Sequence, residues 1–335
     1  MDDKLRIEIA KHWQAAKLKS IQQINSCFYP NCNKNSINSH ILQKNGILSE
    51  LEEDGHVFQM EIDPFATDRH IFKKTGIKKA FSFKCFCAQH DTNLFAPIEQ
   101  KVIDFSLYKN LLLFTLRAKY NEKFRKMVNI NLREILINEK CNLFDIRDLY
   151  FRNQQEKIGL IDIEKTEKLI LNDLRNDAES FVLEVKDIEL IPLCLASFYN
   201  FETTQELANY RRIYGKDKEN VTDIFITVFP YKGKSKFIMA YKKKDSKIAK
   251  PYVNSIIKEK GNKQLSKLTN LLLFQCETWI TSCSFYNSNI KKYEKFFSYA
   301  ADFSNRNLNE RKFFKINLFS NAFPNDIIQW KKNVG

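Results

Sequence analysis

The spacing of apolar residues along this 335-residue chain changes period several times. Residues 4–25 carry Leu5, Ile7, Ile9, Trp13, Leu18, Ile21 and Ile24 among charges, which predicts a helix without one clean apolar stripe. Residues 26–39 are rich in Asn, Ser and Cys around Pro30 and read as a turn with short strands. A short helix is expected over 47–53, a strand over 56–62, an irregular loop over 63–76 and a strand over 80–86. A helix then opens near Cys87 and runs to Pro97. Residues 99–128 show a long helical pattern through Leu111, Leu112, Phe114, Leu116, Tyr120 and Phe124, and 143–174 repeat it among many charges. Near Ala178 the period shortens. SFVLEVKDIELIPLCLASFYNF reads as β-structure, and NVTDIFITVFPYKGKSKFIMAYKKK as a hairpin turning at Lys232-Gly233-Lys234. Residues 253–299 return to helical patterning.

These elements predict an α+β protein: a small cysteine-bearing module over 1–98, a helical region over 99–177, and an α+β domain over 178–335. Composition narrows the class. A hydrophobic fraction of 44% with 28 Phe supports packed cores rather than disorder. Only 8 Gly and 7 Pro argue against a glycine-rich phosphate loop or a linker-rich design. No apolar run approaches membrane-spanning length. The charged start lacks the apolar stretch of a signal peptide, so a cytoplasmic protein is expected.

Candidate chemistry is concentrated at the front. All five His and four of the eight Cys lie in the first 90 residues. Cys27 and Cys32 bracket the turn CFYPNC, and Cys87 and His90 bracket CAQH, three apart at a predicted helix start, which puts both on one face. Zinc favours four tetrahedral Cys or His ligands, so Cys27, Cys32, Cys87 and His90 form a candidate structural zinc site. Cys85 competes with Cys87, which is favoured for its spacing to His90. Cys141, Cys194, Cys276 and Cys283 lie in apolar surroundings and read as core residues, although Cys276 and Cys283 are a heptad apart on one expected helix.

The order of cysteine turn, strands and second pair on a helix is that of a treble clef. Together with NSHILQK and FCAQHDTNLF, it resembles the HNH, or ββα-metal, nuclease family over about residues 25–97. Similar patterns occur in uncharacterised bacterial antiviral-defence proteins, which implies a possible protein partner in a defence complex. The resemblance implies a metal-dependent endonuclease in which His40 is the general base and Asp91 holds a catalytic Mg²⁺ or Mn²⁺. The central Asn of the family pattern is missing, and Asp91 stands where many members have a metal-binding His. The alternative is therefore a non-catalytic, zinc-stabilised module that binds nucleic acid or protein.

Charge points to the partner. Lys+Arg total 54 against 40 Asp+Glu, a formal charge of +14. The first 100 residues are nearly neutral, and much of the excess lies within 210–267. Lys232, Lys234, Lys236, Lys242, Lys243 and Lys244, interleaved with Tyr231 and Tyr241, are the candidate nucleic-acid contacts, since lysines reach phosphates and tyrosines stack on bases.

Overall fold

The computed structural model describes residues 3–62, 70–140, 142–200, 222–295 and 317–320. Along the chain the elements are α1 (Asp3–Gln23), β1 (Asn38–His40), β2 (His56–Ile62), β3 (His70–Gly76), β4 (Ser82–Lys84), α2 (Ala88–Phe95), α3 (Tyr108–Asn138) and α4 (Ile146–Asn176). There follow β5 (Phe181–Ile188), β6 (Leu193–Asn200), β7 (Asp223–Tyr231), β8 (Lys234–Lys242), α5 (Ser246–Ile257), α6 (Gly261–Phe274) and β9 (Trp279–Thr281). This is an α+β architecture. The chain folds into two compact units, one from residues 1–41 and 82–178, the other from 42–81 and 179–335. No helix among the described residues is long and apolar enough to cross a membrane.

In the first unit, β1 and β4 form a two-stranded antiparallel sheet with Ser39 opposite Phe83. Helix α3 is its spine. Residues 111–121 are buried on every side of the helix, as expected of a helix inside a core. The helix begins at Tyr108 rather than at residue 99 as the apolar pattern predicts. The Asp104 carboxylate accepts the Ser106 N–H at 2.9 Å and its hydroxyl at 2.6 Å, an Asx turn that holds this stretch out of the helix. Asp145 caps α4 by accepting the Arg147 N–H at 2.9 Å, and the helix stops at Asp177 with a left-handed φ of 52°. Helix α1 packs Ala16 against Leu132, Leu136 and Leu149, and Ser20 donates to the Val128 carbonyl at 2.7 Å.

Ion pairs lock α3 to α4. Glu156 meets Lys126 at 2.9 Å and Arg133 at 3.4 Å, and accepts from Asn129 at 3.1 Å. Burial pushes the Glu156 carboxyl up, but the hydrogen bond and charge of Lys126, then Arg133 and Asn129, outweigh it and leave the group below its ordinary value of 4.5. A lowered folded-state pKa adds stability above the unfolded value and loses it as pH falls through the folded one. Glu156→Gln should therefore cost about 1–2 kcal/mol at neutral pH and progressively less as pH falls through the folded value, as read by urea unfolding across acidic and neutral pH.

The second unit is built on a seven-stranded antiparallel sheet of order β3-β2-β9-β6-β7-β8-β5. The alternation read in the sequence places Ile224, Ile226 and Val228 of β7 and Phe237, Met239 and Tyr241 of β8 in one core with Val253 and Ile256 of α5 and Leu268 and Leu272 of α6. Lys232 and Gly233 have φ of 52° and 76°, the pair of left-handed residues that a two-residue type I′ hairpin requires.

Two readings need correction. Residues 70–76, expected within an irregular loop, form β3 and pair along their length with β2. The segment HIFKKTG has no alternation of its own, so its strand comes from the partner's ladder. Residues 63–69 of that expected loop lie outside the described residues. Within the expected helical stretch 253–299, Trp279–Thr281 is a strand lodged between β2 and β6, three residues being too few to show a period. Cys276 and Cys283 therefore flank a strand and do not share a helix face.

Candidate metal centre

The turn that carries the first two cysteines is closed by its backbone. The Cys27 N–H donates to the Lys34 carbonyl at 2.9 Å and the Cys32 N–H to the Tyr29 carbonyl at 3.1 Å. Asn31 takes a left-handed φ of 62°, a conformation that Asn tolerates well. The loop is then stitched to the segment preceding α2: the Phe28 N–H donates to the Cys85 carbonyl at 2.8 Å and the Ile37 N–H to the Phe86 carbonyl at 2.7 Å. Cys87 is the N-cap of α2, with the Asp91 N–H returning to its carbonyl at 3.0 Å.

These contacts bring Cys27, Cys32, Cys87 and His90 together. Their ligand atoms all lie within 4.8 Å of one another, and theirs is the cluster of at least three potential ligands found among the described residues. Cys27 Sγ and Cys87 Sγ are each 3.4 Å from His90 Nδ1, and Cys32 Sγ is 3.9 Å from Cys87 Sγ. A tetrahedral zinc with ordinary bond lengths has S···S edges of about 3.8 Å and S···N edges of about 3.5 Å. The donor set and its spacing therefore fit one zinc-sized ion, and all four cysteine sulfurs in this part of the chain are free of disulfides.

The electrostatics differ between the two halves. Burial pushes the Cys27 thiol up to about 11, against the backbone N–H groups of Cys87 and Tyr29. Cys87 sits below its ordinary value, chiefly through the backbone N–H of His90 at the start of α2, against burial. Around the cluster, the Tyr29 ring stacks on His90 with centroids 4.1 Å apart, and the Arg175 guanidinium lies 5.9 Å from the Tyr29 ring centroid. Lys34 donates to the Gln89 side chain at 2.9 Å and ties the loop to α2. Such outer contacts orient a ligating imidazole. Cys85 is fully buried and outside the cluster.

The other predicted residues have distinct surroundings. His40 ends β1, half-buried, opposite Ser82. It lies within the electrostatic environment of Asp91, whose carboxyl is raised by burial against the opposing effects of Arg117, Ser39 and His40. Sequence reading missed Arg117. Its guanidinium is 3% exposed, 2.5 Å from Glu99, 3.8 Å from Asp91 and 4.1 Å from the centroid of the Phe95 ring. Nothing local marks an Arg in a long helix as buried, so only the fold reveals it.

The lysines divide between the two ends of β8, about 26 Å apart at the usual strand rise. Lys232 and Lys234 are exposed at the hairpin tip, where the Lys232 ammonium is 5.3 Å from the Tyr231 ring centroid. Lys236 pairs with Asp187 at 2.5 Å and Lys242 with Asp223 at 2.9 Å. Tyr241 is buried in the sheet core and offers no stacking surface. Lys243 and Lys244 are exposed at the far end, joined by Lys247 and Lys250 on the first turns of α5. Lys247 and Lys250 are three apart on one face of α5, and Lys243 and Lys244 lie in the 3-10 turn that precedes it. Cys194 and Cys276 are buried as expected, Cys283 is half-buried, and Cys141 lies outside the described residues.

No protein-family model, curated protein or solved structure matches the chain.

Proposed function

We propose that residues 25–41 and 82–98 form a zinc-stabilised treble clef, and that the protein is a non-catalytic module that binds nucleic acid. The observation that carries this reading is the Cys27, Cys32, Cys87 and His90 cluster, whose spacing suits zinc and leaves it no open position among four protein ligands. When bound, zinc would clamp the cysteine loop to the N-terminus of α2. A closed ligand set of this kind is structural rather than catalytic.

Hydrolysis through a second metal is less well supported. Mg²⁺ and Mn²⁺ want several hard oxygen ligands. Asp91, which interacts electrostatically with His40, and Glu99 both face the buried Arg117 guanidinium, whose fixed positive charge opposes a divalent cation. The nuclease reading keeps one supporting observation, the electrostatic interaction of His40 with Asp91. The two readings separate in one assay. Incubation with DNA and RNA in the presence of Mg²⁺ or Mn²⁺ should give binding without cleavage; cleavage that disappears in His40→Ala would overturn the non-catalytic assignment.

For the binding surface, the exposed set Lys243, Lys244, Lys247 and Lys250 suits phosphate contacts without sequence preference. Replacing all four by Glu should weaken binding at least tenfold and lower the slope of log K against log salt by up to about 4. An unchanged slope would remove these lysines from the interface.

A further inference from the structure

Helix α4 turns Leu149, Asn153, Ile163, Thr166 and Ile170 into the protein and leaves large apolar side chains outside. Tyr150, Phe151, Ile158 and Ile161 are 59%, 62%, 63% and 52% exposed. Phe151 and Ile158 are seven residues apart, and Ile161 follows by three. With Gln154 between them they make one stripe at helix-packing spacing, flanked by Tyr150. Charged side chains cover most exposed helix faces, so a stripe with this many large apolar groups marks a surface that is covered by something.

We propose that the cover is a second copy of this chain, with the two α4 helices antiparallel about a twofold axis passing between Gln154 and Gln155. About that point the twofold exchanges Phe151 with Ile158, the two most exposed apolar side chains of the helix, whereas Ile161 falls opposite Asp148 and Tyr150 opposite Gly159. The register that lays Phe151 on Ile158 of the second copy also sets Arg147 opposite Asp162, and the twofold repeats both contacts. Arg147 is exposed and makes no ion pair with a described residue. The ion pair described for Asp162 is with Lys165 on the next turn, at 3.2 Å between two exposed groups, a contact weak enough to be exchanged. A parallel pair would instead stack Arg147 on Arg147 and Asp162 on Asp162.

The test is sedimentation equilibrium of the full chain over a wide concentration range. The expected result is a species of twice the 39.6 kDa chain mass that dissociates on dilution. Phe151→Glu and Ile158→Glu alter exposed positions, so their folds, checked by circular dichroism, should persist while the dimer is lost. Arg147→Asp should weaken association at least tenfold, and adding Asp162→Arg to it should restore association. Register is read by oxidation of cysteine variants in a Cys141→Ser background: Gln155→Cys should cross-link near the axis, and Lys168→Cys, at the far end of the helix, should not. A monomer at every concentration, a dimer indifferent to Phe151→Glu, or efficient cross-linking at residue 168 overturns the proposal. The first of these outcomes would assign the stripe to a different partner.

Discussion

Cys87→Ser should strip the protein of its metal and destabilise the first unit severely, while Cys85→Ala, two residues away, should leave the metal in place. Zinc release from the first variant and one retained equivalent in the second are read by elemental analysis. The contrast rests on geometry. Cys87 Sγ is 3.9 Å from Cys32 Sγ and 3.4 Å from His90 Nδ1, whereas Cys85 points into the core. Structural zinc contributes up to about 10–16 kcal/mol in short fingers that have no other core. Here α1, α3 and α4 pack independently around Leu132, Leu136 and Leu149, so the loss should be smaller, about 3–5 kcal/mol, or a fall in Tm of roughly 10–20 °C. Cys85→Ala removes one buried sulfur and should cost about 1–2 kcal/mol. A strong chelator should reproduce the Cys87→Ser effect in the unchanged protein. Ligating thiols must be deprotonated, so affinity for the metal should also fall as pH is lowered. Equal metal content in the two variants would show that the ligand set is wrong.

The four clustered residues were legible because their types and spacings carry the chemistry locally: a tight turn around Pro30-Asn31, and a three-residue step at a helix start. The 54-residue gap between Cys32 and Cys87 hid the reason why they meet. Residues 42–81 leave the first unit and supply β2 and β3 to the sheet of the second. Once that excursion is removed, β1 and β4 pair directly and the two halves of the cluster lie on neighbouring segments. Strand β2 and the β7–β8 hairpin were readable because apolar alternation and a Gly-containing turn are local signals. Strands β3 and β9 were not, because a partner strand rather than their own side chains creates them. The lysines show the same division. Their sequence clustering was plain, but the ion pairs of Lys236 with Asp187 and Lys242 with Asp223 depend on strand register, and register is a property of the folded sheet.

Arg117→Ala should destabilise the first unit strongly while leaving the metal bound. The guanidinium is buried between two carboxylates and over the Phe95 ring. Deleting it leaves Asp91 charged with its compensating cation gone, in a place where burial already raises its carboxyl. Removing one partner of a buried ion pair costs about 3–5 kcal/mol. Glu99 is 41% exposed and can turn to water, so the penalty should come mainly from Asp91 and amount to about 3 kcal/mol. The sign of the pH dependence identifies the culprit. A carboxyl whose folded-state pKa is raised is tolerated when protonated and penalised when ionised, so stability should fall as pH rises from the ordinary value of 3.8 through the raised one. Arg117→Ala should widen that window, and its deficit should shrink on mild acidification. Asp91→Asn in the same variant should recover most of the loss at neutral pH, whereas Glu99→Gln should recover little. Arg117→Lys should rescue only in part, because an ammonium lacks the planar fork that reaches both acids and lies flat on Phe95. Denaturant midpoints across pH 4–8 for these variants decide the matter; a pH-independent deficit in Arg117→Ala would assign the loss to packing on Phe95 instead of to charge.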